Sequence, residues 1–265
     1  MGSSSWNKNK GFEYALFSAP SGKAECLVIF MHGVGHNAKN FDEAAYEIQR
    51  RIPGADVISL QAPTEFEVPP EFSTGEKGYT WFPYEGPLTP QAKAWLTHIF
   101  NRLTIADKVE AFASDELQKR GLKEDKLAYF GISMGAIVAL QVALSGKNEV
   151  AAVVSSGGTV PPFTKIRRKP KIFLQMGEFD DIFNVPPRKG KGKLSKAFAR
   201  AAEELSIRHE RSVKRLKKKG VPVTEKTYPG EGHILPVAAY KDGIDFLVSA
   251  LTPPSPPAPQ PKPGL

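Results

Sequence analysis

Hydrophobic and polar positions follow two alternating patterns along the chain. Short runs that are almost wholly apolar recur, and such runs are typical of parallel strands that are covered on both faces. These runs are CLVIFM, ADVISL, KLAYF, VAAVVSS and KIFLQM. Between them, apolar residues recur with helical spacing, as in NFDEAAYEIQRR and AIVALQVALS. This alternation of strands and helices predicts an α/β fold, in which a mostly parallel sheet carries helices on both faces.

The remaining segments complete the predicted domain, which extends over residues 12–251. FEYALFSA predicts an edge strand at its start, and VTEKTYP predicts the last strand. Residues 61–89 combine proline, glycine and aromatic residues without a period, which predicts a long loop. Residues 90–120 predict a helical region with a break, and a final helix is predicted from about residue 236 to residue 251.

Two terminal segments differ in composition from this domain. Residues 1–11 are polar and predict a flexible leader. Residues 252–265, TPPSPPAPQPKPGL, are too rich in proline to pack and predict a disordered tail. The leader has no apolar segment of the kind that a secretory signal requires, so we expect a cytoplasmic protein.

Composition supports a single globular domain. Hydrophobic residues make up 41% of the 265 residues, so the chain can bury a large core. Its one cysteine, Cys26, has no partner for an internal disulfide and lies at the start of an apolar run. We therefore predict a buried thiol, which is consistent with a reducing compartment.

The net charge of +8 comes from one segment of the chain. Residues 161–220 hold 18 lysines and arginines and six acidic residues, so the rest of the chain is net acidic. Within this segment, residues 194–219 predict a long basic helix. The helix is interpreted either as a solvated face or as a surface for an anionic partner such as a membrane. No nucleic-acid-binding motif accompanies it, so no nucleic-acid partner is expected.

The pentapeptide GISMG, residues 131–135, lies between the strand KLAYF and the apolar helix that follows. A G-x-S-x-G sequence between a strand and a helix is typical of a sharp turn that exposes a nucleophilic serine. Only glycine leaves room for the serine at the flanking positions. The sequence therefore predicts Ser133 as a nucleophile, and the alternative is a glycine-rich turn with a passive serine.

Two backbone N–H groups are predicted to stabilise an oxyanion beside this serine. Met134 follows the nucleophile at the start of a helix, where free N–H groups favour negative charge. CLVIFM leads into the HGVG segment, and the N–H of Val34 is predicted as the second donor, with Gly33 giving the backbone room to approach. His32 is interpreted as a residue that holds this loop in shape rather than as a catalytic base.

The base and the acid are predicted from chain order, since Ser, acid and His follow one another in this fold. His233 lies in a turn just after the last strand, in PGEGH, whereas His209 falls in the basic helix and is expected to be solvated. Asp180 lies in GEFDD, directly after the strand KIFLQM, with Asp181 as the reserve. The predicted triad is therefore Ser133, Asp180 and His233.

The segments HGVG, GISMG, GEFD and GEGH together resemble the carboxylesterase/phospholipase group that is related to acyl-protein thioesterases. The resemblance covers about residues 12–251 and implies the α/β-hydrolase fold. It also implies a serine hydrolase that needs no cofactor or metal and cleaves carboxylic esters, lysophospholipids or acyl thioesters. It assigns the same triad and the same two oxyanion donors.

The resemblance also implies that Trp81 and Phe82, in YTWFPY, lie near an acyl pocket, and the alternative is that these two aromatic residues cap the core. The sequence departs from the family's pattern where His36 replaces an aspartate, Met134 replaces a glutamine and GEFDD replaces G-D-x-D-P. A non-catalytic binding protein, a peptidase and a polyester depolymerase on the same fold are the alternatives to an ester or thioester hydrolase.

Overall fold

The computed structural model describes residues 4–68, 75–82, 92–161, 164–180, 182 and 209–252, and side chains are described for all of these except residues 40 and 92–103. In this part of the chain there are ten strands and five α-helices. The strands are β1 (Ser5–Asn9), β2 (Phe12–Phe17), β3 (Cys26–Met31), β4 (Ala55–Leu60), β5 (Thr64–Phe66), β6 (Gly78–Thr80), β7 (Leu127–Ile132), β8 (Ala152–Ser156), β9 (Lys171–Gly177) and β10 (Val223–Tyr228). The helices are α1 (Asp42–Arg51), α2 (Ala92–Arg120), α3 (Met134–Ser145), α4 (His209–Lys218) and α5 (Val237–Leu251).

Eight strands form the central sheet, in the order β1-β2-β4-β3-β7-β8-β9-β10. The six strands from β4 to β10 in this order are parallel to one another, whereas β2 runs antiparallel to both β4 and β1. β3, β4 and β8 are buried at every position, as their continuous apolar runs predict. The expected mostly parallel sheet is therefore confirmed.

Helices cover both faces of this sheet. Side chains of α1 and α5 pack with Val28 and Phe30 of β3 in one apolar cluster. Side chains of α2, α3 and α4 pack with Leu27 and Ile29, which point to the opposite face, in the other. The core therefore has two halves, and the carboxyl ends of the parallel strands lie together at one edge of the sheet.

The amino-terminal segment differs from the expectation of a flexible leader and a β2 edge strand. Residues 5–9 form β1, which pairs antiparallel with β2 and makes β1 the edge strand. The two-residue turn between them has φ of 48° at Lys10 and 83° at Gly11. Both values are positive, as a tight hairpin turn requires. The proline-rich tail, residues 253–265, lies outside the described residues.

Two internal predictions also need correction. The segment 61–89, predicted as a loop, contains the two-stranded sheet formed by β5 and β6. The break predicted between residues 90 and 120 is wrong, because α2 is one helix. Of the predicted basic helix 194–219, the structure describes α4, and the earlier part lies outside the described residues. Cys26 is a buried free cysteine, as predicted, and burial raises the pKa of its thiol to about 11.

Candidate active site

Ser133 lies in a sharp turn between β7 and α3. Its backbone has φ of 51° and ψ of −116°, a conformation that residues with a side chain rarely adopt. The Ser133 N–H donates to the carbonyl of Ser156 at the end of β8, at 2.8 Å, and this bond fixes the turn against the sheet. A glycine-rich turn with a passive serine, the alternative, would be expected to have a relaxed backbone. It does not account for the strained conformation of Ser133.

The glycines on either side of Ser133 are required by close backbone contacts. A Cβ atom on Gly131 would lie 2.4 Å from Cα of Ala136, and one on Gly135 would lie 2.2 Å from the carbonyl oxygen of Met31. Real Cβ atoms essentially never approach other atoms this closely. The pattern G-x-S-x-G therefore reflects the path of the chain at this turn.

The loops that carry Asp180 and His233 follow β9 and β10, which are neighbours in the sheet. The Phe179 N–H donates to the Glu231 carbonyl at 2.8 Å, and the Gly230 N–H donates to the carboxylate of Glu178 at 2.9 Å. These bonds hold the two loops side by side at the carboxyl edge of the sheet. Adjacent strands thus bring together residues that are 53 positions apart in the chain.

The three predicted side chains form a continuous hydrogen-bonded chain. Ser133 Oγ lies 2.8 Å from Nε2 of His233, and Nδ1 of His233 lies 2.8 Å from Oδ2 of Asp180. The other carboxylate oxygen of Asp180 accepts the N–H of Ile182 at 2.9 Å. Asp180 is buried, whereas the His233 side chain is 18% exposed. The acid is thus sequestered and the imidazole is open to a reactant.

The loop after β3, which carries Gly33 and Val34, passes close to Ser133. A Cβ atom on Gly33 would lie 3.4 Å from Cβ of Ser133. Within the described part of the chain, the Val34 N–H donates to no acceptor, and the Met134 N–H belongs to the first turn of α3, which has no intrahelical acceptor. Both predicted donors are therefore free to bind a ligand oxygen.

His32 holds this loop from within the core. Its Nε2 accepts the Ala62 N–H at 3.1 Å, so its Nδ1 carries the proton and donates to the Gly33 carbonyl at 2.7 Å. Burial lowers the pKa of His32 to about 4, which keeps the ring neutral near pH 7. The interpretation of His32 as a residue that holds the loop in shape agrees with these contacts.

Trp81 and Phe82 lie in the core rather than at an open pocket. Trp81 is 2% exposed and its Nε1–H donates to the His32 carbonyl at 2.7 Å, while Phe82 is 3% exposed. Side chains buried to this extent offer no surface to a substrate in this structure. The burial of both rings therefore favours the alternative that they cap the core, and Trp81 in addition braces the loop that carries Val34.

His209, the rival to His233, is not solvated as expected. It is 8% exposed, and burial lowers the pKa of its imidazole. The buried side chains of α4 are His209, Ser212, Val213 and Leu216. This spacing of three, four and seven residues is the signal that could have predicted an inward-facing histidine. Asp181, the rival to Asp180, lies outside the described residues.

Large exposed hydrophobic side chains are concentrated beside the triad. Among the described residues, five are exposed. Three of these belong to the two loops that carry Asp180 and His233, and a fourth, Val237, is the first residue of α5 directly after the second loop. We call these four the apolar rim: Phe179, Ile182, Ile234 and Val237, with exposed fractions of 66%, 55%, 88% and 85%. Sequence reasoning did not single out these residues.

Neither a metal site nor a membrane span is found in the part of the chain that the structure describes. No three His, Cys, Asp or Glu side chains are grouped there to hold a metal ion. None of the described helices is both long enough and apolar enough to cross a bilayer.

Comparison with known sequences identifies the family. The pattern of the Phospholipase/Carboxylesterase family matches residues 13–248. The chain belongs to this family. The match includes every residue of the predicted triad and both predicted oxyanion donors, and it confirms the resemblance that the sequence motifs indicate.

Individual proteins show how far the similarity extends. A protein of Mycosarcoma maydis described as an uncharacterized hydrolase is 30% identical over 145 residues, and this match spans 55% of the present chain and about half, 51%, of the relative's length. The crystal structure of the esterase PE8 has a TM-score of 0.70 at 22% identity, over 89% of this chain and 97% of PE8. A carboxylesterase from Mesorhizobium loti has a TM-score of 0.58 at 17% identity, over 92% and 98%. These likenesses confirm the α/β-hydrolase fold.

Proposed function

We propose that this protein is a serine hydrolase that cleaves carboxylic esters or thioesters through an acyl-enzyme on Ser133. The observation that carries the proposal is the chain of two 2.8 Å contacts from Ser133 through His233 to the buried Asp180. A serine hydroxyl becomes a useful nucleophile when a base accepts its proton and a third group orients that base. This geometry supports both conditions.

In the acylation step, Ser133 Oγ attacks the acyl carbonyl while Nε2 of His233 takes the hydroxyl proton. His233 can accept this proton at Nε2 because its Nδ1 carries the ring's other proton and donates a hydrogen bond to the Asp180 carboxylate. The carboxylate fixes this tautomer and stabilises the imidazolium that forms. Its burial, and the hydrogen bond from the Ile182 N–H, keep it in a single orientation.

The tetrahedral intermediate carries negative charge on the former carbonyl oxygen. In our proposal the N–H groups of Val34 and Met134 bind this oxygen, and loss of one such donor costs about 100- to 1000-fold in rate in enzymes of this type. His233 then protonates the leaving alcohol or thiol. Water then attacks the carbonyl of the acyl-enzyme while His233 takes its proton. The carboxylic acid product is released and Ser133 is regenerated.

The apolar rim supports an ester that carries an apolar group near the reacting carbonyl. Its four residues lie within four positions of Asp180 or His233 in the chain, and each side chain leaves more than half of its surface in water. Contact with an apolar substrate group would remove part of that surface from water and so favour binding, by about 25 cal/mol for each Å². The rim replaces Trp81 and Phe82 as our proposed contact for this group.

Hydrolysis of nitrophenyl esters from acetyl to palmitoyl tests the proposal directly. We expect turnover with at least one chain length, and Ser133→Ala should lower kcat/KM by about 10⁵-fold or more. Ser145→Ala is the matched control, because Ser145 lies at the far end of α3 and its hydroxyl donates to the Gln141 carbonyl of the same helix. Turnover that survives Ser133→Ala, or that is equally lost with Ser145→Ala, would contradict the assignment.

A further inference from the structure

One end of the molecule carries a dense set of exposed lysines. They belong to two segments, the chain from Thr164 to Lys171 and the chain from Lys214 to Lys219. We call this surface the basic face and define it by six residues: Lys165, Lys169, Lys171, Lys214, Lys218 and Lys219. The segments are more than 40 positions apart in the chain, so the fold creates this surface.

Backbone and side-chain contacts fix the two segments together. A Cβ atom on Gly220 would lie 3.4 Å from Nζ of Lys169, and the Ile172 N–H donates to the Pro222 carbonyl at 2.9 Å. Arg215 turns inward from α4 and donates to the carbonyls of Pro161, at 2.7 Å, and Thr164. The lysines therefore project from a braced surface.

The positive charge of this face is not compensated by neighbouring acids. Within the described residues, none of the six lysines takes part in an ion pair. Two of the acids nearby are already paired, Glu149 with Arg168 at 3.3 Å and Glu225 with Lys217 at 2.7 Å. A third, Glu210, lies four residues before Lys214 on α4 and forms no ion pair with any of the six lysines. The face thus presents six positive charges to the solvent.

The basic face lies at the end of the molecule opposite Ser133. The N–H groups of Arg167 and Arg168 donate to the Leu144 carbonyl, in the last turn of α3, while the first residue of α3 follows Ser133. A helix of 12 residues is about 18 Å long. A partner bound at this face would therefore leave the triad open to solvent.

The chemistry of the face favours diffuse attraction over recognition of individual phosphates. Arginine binds phosphate with a planar fork, whereas lysine acts as a mobile point charge. The guanidinium groups of Arg167 and Arg168 are directed at oxygens of the protein itself. Arg167 donates to the Ser145 carbonyl, and Arg168 donates to the Lys147 carbonyl and the Glu149 carboxylate. α3 and α4 also end at this face, so they present carbonyl groups there rather than the N–H groups that bind anions.

We propose that the basic face docks the protein on an anionic lipid bilayer by long-range attraction. Lysines near a negatively charged leaflet each contribute to adsorption, and this attraction weakens within a Debye length. None of the exposed large hydrophobic side chains of the described residues belongs to the basic face, so adsorption involves no apolar insertion. It should therefore be reversed by salt.

Co-sedimentation of the full chain with vesicles tests this proposal. We expect binding to phosphatidylcholine vesicles that contain phosphatidylserine at low salt, loss of binding at high salt, and no binding to phosphatidylcholine alone. Replacing Lys165, Lys169 and Lys218 together by Gln should weaken binding about 100-fold, or about fivefold for each lysine. The matched control replaces Lys39, Lys108 and Lys241, exposed lysines elsewhere, by Gln and should keep wild-type affinity.

Three results would overturn the proposal. These are no binding to the anionic vesicles at low salt, the same affinity for the two triple variants, and tighter binding of the wild type to an RNA duplex than to vesicles at equal salt. Circular dichroism of both triple variants reports whether they fold. Because the assay measures binding, its outcome is independent of the proposed hydrolase activity.

Discussion

Ser133 combines a strained backbone with a side chain that a base can reach. A residue in such a sparsely populated conformation costs about 1 to 3 kcal/mol, and it persists only where its surroundings fix it. Here the hydrogen bond to Ser156 and the two tight glycine contacts supply that constraint. The strained backbone and the hydrogen bond to His233 therefore involve the same residue, as we expect for a nucleophile.

We predict that Gly135→Ala disrupts this turn. Its new Cβ atom would overlap the Met31 carbonyl oxygen, at 2.2 Å, and backbone atoms cannot move aside cheaply. We expect a loss of at least about 3 kcal/mol in the free energy of unfolding, measured by urea denaturation, together with loss of esterase activity. Gly232→Ala is the control, because a Cβ atom there meets nothing within 4 Å. Equal stability of the two variants would contradict the packing argument.

The protonation of His32 predicts how stability depends on pH. Because burial lowers the pKa of His32 to about 4, the unfolded chain binds more protons than the folded chain between about pH 6.5 and pH 4. The free energy of unfolding should therefore fall by about 3 kcal/mol as the pH decreases through this window. His32→Gln should remove this part of the pH dependence, which urea denaturation of both proteins at several pH values measures. If the free energy of unfolding had the same pH slope in both proteins, His32 would not be its source.

Most of the site follows from sequence because its residues lie directly after strands. Chain order and the position after KIFLQM and VTEKTYP are enough to predict His233 and to favour Asp180, with Asp181 in reserve, from the sequence alone. The burial of Trp81 could not be predicted, because it depends on the His32 carbonyl that accepts its indole N–H. The sequence does not predict the apolar rim for a similar reason, because the exposure of its side chains depends on how the chain around the triad folds.

At the scale of elements, the apolar runs predict the central strands well, and the exceptions have local causes. β1 has few apolar residues and depends on its pairing with β2, which a polar sequence does not reveal. β5 and β6 are three residues long, too short to show a period. α2 passes through the predicted break because its residues Val109, Phe112 and Ala113 are anchored in the core.

The end of α2 is joined to the sheet by a buried charge network. Arg120 donates to Asp56 at 2.7 Å and to Glu116 at 2.6 Å, and Glu116 is 1% exposed. Burial alone would raise the pKa of Glu116, but hydrogen bonds from Lys119 and Arg120 outweigh it, so the pKa of Glu116 is lowered. The carboxylate is therefore charged and depends on its partners.

We predict that Arg120→Leu destabilises the protein by about 3 to 5 kcal/mol, because it removes the cation that bonds both Asp56 and the buried carboxylate of Glu116. Urea denaturation at pH 7 measures this change. Arg50→Leu is the control, since Arg50 forms an exposed ion pair with Glu47 and should not shift the urea midpoint. A midpoint unchanged by Arg120→Leu would show that the network does not stabilise the fold.

At the scale of the whole molecule, different chemistries occupy opposite ends of the sheet. The triad and the apolar rim lie at the carboxyl edge, whereas the basic face lies at the amino edge, where β9 begins at Lys171. Substrate binding and surface attachment are thus spatially separate in our account. Changes to either end should leave the function of the other intact.

The apolar rim predicts chain-length dependence. The single variants Ile234→Ser and Val237→Ser should each raise KM for octanoyl esters about tenfold relative to KM for acetyl esters. Each substitution removes one apolar contact, which is worth about 1 to 1.5 kcal/mol. Trp6→Ser is the matched control, since Trp6 is the remaining exposed large hydrophobic residue among those described and lies on β1. If the two rim variants changed KM equally for both esters, or if Trp6→Ser had the same effect, the rim would not contact the acyl chain.

The central claim is that Ser133 is an activated nucleophile, and labelling with a fluorophosphonate probe tests it most directly. The serine oxygen attacks phosphorus, fluoride leaves, and a stable phosphonyl-serine adduct remains. We predict one adduct per folded chain, mapped by mass spectrometry to the peptide that holds Ser133, and no adduct in Ser133→Ala. Folded wild-type protein that remains unlabelled, or that is labelled at another residue, would contradict the account.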